Sequence, residues 1–433
     1  MVFKTLVRSG REALFWSLLS LFYSNSYCQT ERLTLDDAVR EALEFNPQLR
    51  ATRYDIQAAK ADLVTAGLRP NPTLTVNADI LPSQGLGPAD KNYGASLNFP
   101  FELGGKRDAR IHTSEAGIDV AATQTADQVR QTVAAVRYAY FDFLGSAEKV
   151  RAASANLALL DSLVSLSRVR VAGNDIAKVE LTRTEVEREK FGLEVLHTKE
   201  EQRAARTQLL ALMGRSAQGS DKSKTLLLEP DSSAIHLVQD AMSAEPPPLD
   251  SLRAIAAEVR PDIQSLRAQE KLAEANLELQ HSLAKVDLNV SLDLMRSQGI
   301  TFYGSTVSVP LPFYSQNQGE IEKAEVKLEQ ARVLTQAALA QLSADLTNAY
   351  NDAEIKRQAL KTLEERVLQK ASDVRSAIEY SYKRGGTSLV DYLDAARTYN
   401  ELEQDHADAL QSYAKSLVTL NATIGKDIYY GRP

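Results

Sequence analysis

The stretch NPTLTVNADIL, Asn71–Leu81, alternates polar and apolar residues almost without exception. Nearly the same pattern returns in DLNVSLDLM, Asp287–Met295. Alternation with a period of two predicts strands that carry their apolar side chains on one face. Two further strands are predicted at YGASLNFPF, from Tyr93, and at YGSTVSVPL, from Tyr303. These four short strands decide the fold, because the rest of the chain predicts helices and gives them nothing else to pair with.

The chain is an internal duplication. FNPQLRATRYDIQAAKADL, from Phe45, aligns with VRPDIQSLRAQEKLAEANL, from Val259, so that Pro47 falls on Pro261, and the two strand pairs follow at similar spacing. A repeat of this length is too long for a solenoid, so it indicates duplication of a whole structural unit. We predict a first repeat over residues 29–245 and a second over 246–433, which together form one structural domain.

Proline placement predicts two very long helices. Apart from Pro433, every proline lies within 47–100 or 230–312, and proline inside a helix costs about 3 kcal/mol. We expect long helices from Gly104 to Arg170 and from Gln316 to Arg384, each about 100 Å long at about 1.5 Å per residue. Tight turns and shorter returning helices, over about 176–213 and 388–424, should follow them.

Apolar and small residues in the second long helix are spaced alternately three and four apart, which predicts a coiled-coil seam. We expect the seam to drift near Ala349 and then to resume. Its predicted members are Ile321, Ala324, Leu328, Ala331, Thr335, Ala338 and Leu342, followed by Leu360, Leu363, Val367, Ala371, Val374 and Ile378.

The N-terminal segment, 1–28, has the layout of a secretory signal peptide. Three basic residues precede the apolar run ALFWSLLSLFY, Ala13–Tyr23, and a short polar stretch follows. Cleavage near Cys28 leaves two alternatives: this sole cysteine is removed, or it becomes the first mature residue and carries a lipid. The remaining chain has no apolar run long enough for a spanning helix. The full sequence, leader included, has a net charge of −7, which predicts no nucleic-acid partner.

Two arrangements suit the four strands. Two hairpins could pack on the chain's own helices with their apolar faces inward, as in a soluble periplasmic coiled-coil scaffold. Strands of this length with alternating polarity and aromatic ends also suit a transmembrane barrel. Four strands cannot close a barrel alone, whereas three chains would supply twelve. Helices of about 100 Å likewise need partners along their length, and assembled chains would close them into a tube.

The motifs taken in order resemble the outer-membrane efflux family typified by TolC, and its heavy-metal branch typified by CzcC and CusC. They are LTLDDAVREALEFNPQL, AGLRPNPTL, FPFELGGKR, VPLPFYSQNQGEI and GGTSLVDYLDAAR. The resemblance implies a mainly α fold with a small β part. In that fold a homotrimer forms an outer-membrane β-barrel, four strands per chain, continued by a long periplasmic α-helical barrel. It implies a passive exit duct in contact with outer-membrane lipid, and not a catalyst.

The resemblance also implies where the narrow periplasmic entrance lies. Asp391 and Asp394 are three positions apart and share a helix face, and matching aspartates line the entrance in this family. Glu180 occupies the position of Asp391 in the first repeat, whereas Arg183 replaces Asp394. The alternative for these residues is ordinary solvated helix charge.

Further entrance features follow from the same resemblance. Tyr382 matches a tyrosine that helps to hold the entrance shut, while Thr387 stands where the family has a gating arginine. The turn glycines Gly173, Gly385 and Gly386 match the region that meets the tip of a periplasmic adaptor protein. Glycine would equally serve simple helix termination.

Enzyme chemistry has little support in the sequence. The five histidines are scattered without ligand spacing, and there is no cysteine pair, phosphate loop or nucleophile elbow. We therefore predict no cofactor and no resident metal. The resemblance implies a periplasmic adaptor and an inner-membrane transporter of the RND type as partners. It favours heavy-metal cations as cargo, with multidrug efflux or type I secretion through the same fold as alternatives.

Overall fold

A computed structural model describes residues 31–81, 90–215, 228–244, 246–297 and 299–429. The predicted signal peptide, Cys28, most of the predicted loop Pro82–Asn92 and residues 216–227 of the connection between the repeats lie outside the described residues. The predicted repeat boundary also falls beside one of these gaps, at residue 245.

Helices dominate the described chain. They are α1 (Leu35–Phe45), α2 (Pro47–Ala66), α3 (Lys106–Ala172), α4 (Lys178–Leu212), α5 (Ser233–Ser243), α6 (Leu249–Val259), α7 (Pro261–Leu283), α8 (Gln318–Thr362), a π-helical segment (Leu363–Leu368), α9 (Gln369–Lys383) and α10 (Leu389–Ile424). The two long helices and their returning partners are confirmed. α3 has 67 residues, and α8 continues without a break through the π segment into α9.

Four of the strands form one antiparallel sheet. They are β2 (Thr73–Leu81), β3 (Asp90–Phe101), β5 (Leu288–Ser297) and β6 (Ile300–Ser308), in the order β2-β3-β5-β6. The predicted hairpins are confirmed, and they join through β3 and β5. Two three-residue strands, β1 (Glu31–Leu33) and β4 (Leu228–Pro230), pair in parallel and were not predicted. They meet over Tyr140, whose hydroxyl donates to the carbonyl oxygens of Leu33 at 2.9 Å and Asp231 at 3.1 Å.

The sheet has one apolar and one mainly polar face. Its register places Val76 opposite Ala95, Leu97 opposite Leu292, and Val290 opposite Val307. These side chains share one face because alternate residues point the same way. That face is not packed on helices, since Val76 is 71% exposed and Val307 65% exposed. The expected alternative, with the apolar faces buried against the chain's own helices, is therefore not the arrangement found.

The opposite face carries a hydrogen-bonded polar network. The Ser96 hydroxyl donates to Oδ1 of Asp293 at 2.6 Å, and the Thr306 hydroxyl donates to Oδ2 of the same carboxylate at 3.0 Å. The carboxylate of Asp293 on β5 thus accepts from one residue on each neighbouring strand, β3 and β6. The two faces therefore suit two different surroundings, one apolar and one aqueous.

The predicted coiled-coil seam is confirmed for members of its first part and for Leu360, whereas one member of its second part is exposed. Ala324, Leu328, Thr335 and Leu342 are buried as predicted. The predicted drift near Ala349 is wrong, because the break is the π segment at 363–368. A π turn inserts one extra residue and so rotates everything after it. Beyond the break, the predicted seam member Val374 is 54% exposed, whereas Ile378 packs against the cluster near the turns.

Buried side chains form three clusters along the shaft. The largest surrounds Tyr140, Phe141 and Tyr413, where α1, α3, α5 and α10 meet halfway along α3. A second joins α6, α7, α8 and α10 around Leu346. The third, described below, lies near the turns that join the long helices to the returning ones. The core is therefore distributed along the helices and not collected at one centre.

Each returning helix ends in a glycine that touches the other end of its own repeat. Gly214 has φ +76°, and a Cβ there would lie 2.5 Å from the Phe45 carbonyl oxygen. Gly425 has φ +78°, and a Cβ there would lie 3.0 Å from Cα of Arg260. Both glycines thus permit a left-handed backbone and a close approach to the start of the next helix.

Replacing Gly214 with alanine should lower stability by more than about 1–2 kcal/mol, because the left-handed conformation alone costs that much before the clash is counted. Gly117→Ala is the matched control. Gly117 lies inside α3, and no described atom outside its own helix backbone lies within 4 Å of the position that a Cβ would take. Alanine there should be neutral or stabilise the protein by about 0.5–1 kcal/mol. Thermal unfolding of the detergent-solubilised protein, followed by circular dichroism, measures both. Equal melting of Gly214→Ala and wild type would contradict the close approach.

Candidate functional site

Two turns lie at the end of the shaft farthest from the sheet, because α3 starts just after β3 and runs 67 residues away from it. The first tip, residues 173–177, joins α3 to α4. The second tip, residues 384–388, joins α9 to α10. The two tips hold equivalent places in the two repeats, with Asn174 of the first corresponding to Gly385 of the second.

Both tips end their long helix in the same way. The amide of Asp175 donates to the Arg170 carbonyl at 2.9 Å, and the amide of Gly386 donates to the Ser381 carbonyl at 2.9 Å. Each bond closes around one left-handed residue, Asn174 at φ 59° or Gly385 at φ 79°. This is the Schellman arrangement.

The turn glycines lie at the ends of both long helices, as predicted: Gly173 is the C-cap of α3, and Gly385 follows α9. Gly173 has φ −80°, and the left-handed residue is its neighbour Asn174. Asparagine tolerates this conformation because its short polar side chain can bond locally. In the second tip a glycine, Gly385, occupies the left-handed position.

The acids Asp391 and Glu180 hold equivalent positions in the first turn of α10 and α4. Asp391 belongs to a reciprocal cap: its amide donates to the Ser388 hydroxyl at 3.2 Å, and that hydroxyl donates to Oδ2 of Asp391 at 2.7 Å. Glu180 follows Ala177, which cannot form such a cap. Both carboxylates lie where the helix dipole favours negative charge, so Asp391 also contributes to helix stability.

Asp391 and Asp394 line one groove between α9 and α10. Thr387, Ala371 and Tyr399 complete much of the same surface. Both aspartates are exposed. Within the described residues, the Asp394 carboxylate makes no hydrogen bond and no ion pair. The structure therefore brings the two predicted acids together on a solvent-facing surface, with one carboxylate uncommitted.

Tyr382 lies in the core of the tip and not on that surface. It is 4% exposed, and its ring stacks on that of Tyr392 at 5.3 Å between centroids. The guanidinium of Arg170 lies 5.5 Å from its ring centre, which ties the end of α3 to this pair. Burial raises the pKa of the neighbouring Tyr392 to about 12. The Tyr382 hydroxyl has no hydrogen-bond partner among the described residues.

An ion pair between the returning helices was not predicted. Nη2 of Arg397 on α10 lies 2.9 Å from Oε2 of Glu187 on α4, and Nζ of Lys190 donates to Oε1 of Glu187 at 3.1 Å. Burial alone would raise the pKa of Glu187, but the hydrogen bonds from Arg397 and Lys190 outweigh it and lower the pKa. Glu187 and Arg397 belong to different repeats, and no local pattern marks them.

The described residues include no group of three or more His, Cys, Asp or Glu side chains arranged to hold a metal ion. Across the same residues, none of the helices has both the length and the apolar character required to cross a membrane.

A sheet with one apolar and one polar face, set on a shaft of duplicated helical hairpins, defines a class of outer-membrane channel proteins. The profile of the outer membrane efflux protein family matches residues 38–215 and 252–426, and the chain belongs to that family. It is therefore an outer-membrane efflux channel with a helical extension in the periplasm, and not an enzyme. The two matched ranges correspond to the two copies of the duplicated unit.

Known relatives agree with this assignment. The chain is 26% identical over 399 residues to the cobalt-zinc-cadmium resistance protein CzcC of Cupriavidus metallidurans, covering 91% of this chain and 90% of that one. A membrane protein from Pseudomonas aeruginosa matches with a TM-score of 0.74 and 17% identity over 92% of this chain and 91% of the other. CusC, solved in a study of transmembrane channel formation, matches with a TM-score of 0.73 and 15% identity over 94% and 95%. The two structures share the fold of this chain.

Proposed function

We propose that three copies of this chain form an exit duct through the outer membrane. The observation that supports this most directly is the sheet. In the described chain β2 pairs only with β3, and β6 only with β5. Backbone groups cannot stay unpaired in lipid, so a sheet with an apolar face must close. Four strands from each of three chains make a twelve-stranded barrel, with the Ser96–Asp293–Thr306 face toward water.

The helical shaft also exposes surfaces that fit neighbouring copies. On α4, Val179, Val186 and Leu193 follow one another at heptad spacing and are 72%, 51% and 67% exposed. This spacing places them along one side of the helix, as in a coiled-coil seam. A seam that stays exposed in the described chain supports packing against an adjacent copy. Six helical hairpins from three chains would then enclose a tube.

We further propose that this duct works with a periplasmic adaptor and an inner-membrane transporter of the RND type. A passive channel supplies no energy, so directed efflux needs a driven pump and a connection across the periplasm. The tips at 173–177 and 384–388 are the farthest points of the shaft from the membrane and are suitably placed to meet an adaptor. The backbone around Gly385 is open, since no described atom beyond its chain neighbours lies within 4 Å of the position that a Cβ would take. This leaves room for close approach.

Heavy-metal cations are the proposed cargo, with multidrug or protein export as the alternatives. The support is the similarity to CzcC, whose name states cobalt, zinc and cadmium resistance. A strain that lacks this gene should lose resistance to such cations while its drug tolerance stays unchanged. Comparing growth inhibition by cobalt, zinc and cadmium salts with inhibition by a panel of drugs measures this. Unchanged metal resistance with new drug sensitivity would contradict the metal cargo.

The structure also bears on the alternative of a lipid on Cys28. Tyr140 fixes Leu33 about 50 Å from the start of α3, at about 1.5 Å per residue. The chain between Cys28 and Leu33 spans at most about 18 Å when extended. An acyl chain on Cys28 would therefore not reach lipid beside the sheet, and we propose that it plays no part in anchoring.

Protein extracted from outer membranes in mild detergent should have the mass of three mature chains without acyl groups. Native and denaturing mass spectrometry of the same preparation measure both quantities, and a Cys28→Ser variant should reach the outer membrane as wild type does. A soluble monomer would contradict the duct. A trimer that carried acyl chains and lost its localisation in Cys28→Ser would contradict only the argument about the anchor.

The groove acids should make the entrance attract cations. If Asp391 and Asp394 line a constriction, three copies of each would create a strongly negative ring. The double variant Asp391→Asn, Asp394→Asn keeps the side-chain size and should weaken block of single-channel current by divalent or trivalent cations at least about tenfold, about 1.4 kcal/mol. Glu200→Gln, an exposed carboxylate on α4 distant from both tips, is the control. Equal block in the double variant and wild type would mean that the acids lie outside the constriction.

A further inference from the structure

A cavity of about 560 Å³ lies where the first repeat passes from sheet to helix. This volume is within the range of about 300–1,000 Å³ found for sites that bind small molecules. Its walls come from two short connections, residues 69–72 before β2 and residues 99–108 from the end of β3 into α3. The site at the tips uses none of these residues.

The two walls differ in character. One wall is apolar and contains Pro70, Pro72, Phe99 and Phe101. Like the apolar face of the sheet, it has even-numbered residues from the β2 side and odd-numbered residues from the β3 side. Phe101 is 50% exposed although it is a large apolar side chain. The cavity therefore continues the apolar face at the end of the sheet that joins the helices, which in the proposed barrel is the periplasmic boundary of the membrane.

The other wall is cationic. Arg69 is exposed and makes no hydrogen bond or ion pair with any described residue. Arg107 uses only Nε, which donates to the Gly67 carbonyl at 2.7 Å, so both of its terminal nitrogens remain available within the described chain. Asp108 is the one carboxylate of the lining without a partner in the described part.

The other charges of the lining are already neutralised. Nζ of Lys106 lies 2.8 Å from Oδ1 of Asp287. Glu102 accepts two hydrogen bonds from Arg110, one of them at 2.8 Å. The two arginines thus outnumber the single remaining acid, and the cavity favours an anion.

We propose that this cavity binds the headgroup of an anionic phospholipid from the periplasmic leaflet. Arg69 and Arg107 would hold the phosphate, since guanidinium groups bind phosphate oxygens in pairs. The acyl chains would lie over Phe99 and Phe101. At the offsets of the flanking strands and helices, the second repeat has Leu283 at the position of Arg69 and Asn317 at the position of Arg107, so it lacks both arginines. The orientation toward lipid rests on the proposed barrel.

Native mass spectrometry of the detergent-solubilised protein tests the site. Wild type should retain phosphatidylglycerol in preference to phosphatidylethanolamine, and inorganic phosphate at millimolar concentration should not displace it. Each of Arg69→Gln and Arg107→Gln should lower the apparent affinity for phosphatidylglycerol about fivefold, the effect of one basic residue near an anionic membrane surface. Arg183→Gln removes an exposed arginine near the first tip and should change nothing.

Four results separate the possibilities. Equal retention by wild type and Arg69→Gln would overturn the site, and this variant breaks no contact that could affect folding. Complete displacement by inorganic phosphate would show a free-anion site and overturn the lipid. A trimer without lipid preference would keep the proposed duct and overturn the site. A monomer whose preference still depended on Arg69 would overturn the duct and support the site.

Discussion

The fold depends on two strand edges that no residue of the described chain covers. β2 and β6 are equal in length, and each pairs on one side only. In water such edges invite aggregation, and in lipid their unpaired amides and carbonyls are too costly to persist. The sheet between these edges exposes an apolar face, which is unsuited to water. Edges of equal length satisfy both demands by pairing with the opposite edge of another copy, as in the proposed barrel.

The two ends of the shaft are held by different forces. Near the sheet, the second repeat is tied to the first by polar contacts: Asp287, just before β5, accepts from Nζ of Lys106 at 2.8 Å and from the amide of Leu103 at 3.1 Å. Lys285 packs so closely on Gly104 that a Cβ there would lie 2.4 Å from its side chain. At the far end the helices are held by a small cluster around Tyr382 and Tyr392 and by the Glu187–Arg397 pair. This cluster is the smallest of the three along the shaft. Fewer buried contacts lower the free energy of local opening, so the tips should open more readily than the middle of the shaft.

Patterns with a fixed period were predictable, and single positions were not. Alternation gave the faces of the four strands, and the absence of proline gave the long helices. β1 and β4 were missed because three residues are too few to show a period. The π segment was not predicted, because an inserted residue becomes visible only when the helix is packed. Asn174 was missed because a glycine stood beside it. The Glu187–Arg397 pair depends on the way two distant helices align, which no local signal records. The shared groove of Asp391 and Asp394 followed from spacing alone, whereas burial of Tyr382 did not.

The two repeats differ in sequence near the tips, and this difference bears on the proposed assembly. The second tip has a capped α10 and two acids, Asp391 and Asp394, on one surface. Next to the first tip, α4 has no side-chain cap and carries Glu180 and Arg183 at the corresponding positions, so the charges at these two positions cancel. At these two positions, six hairpins from three chains would therefore alternate between a pair of acids and an acid with a base. Any negative ring at the entrance would then have three-fold symmetry and arise from the second repeat alone.

The second tip also carries the more deformable turn, since Gly385 and Gly386 replace Asn174 and Asp175. The hairpin with the charge is thus the one whose backbone is freer to move, which makes it the natural place for an entrance that opens.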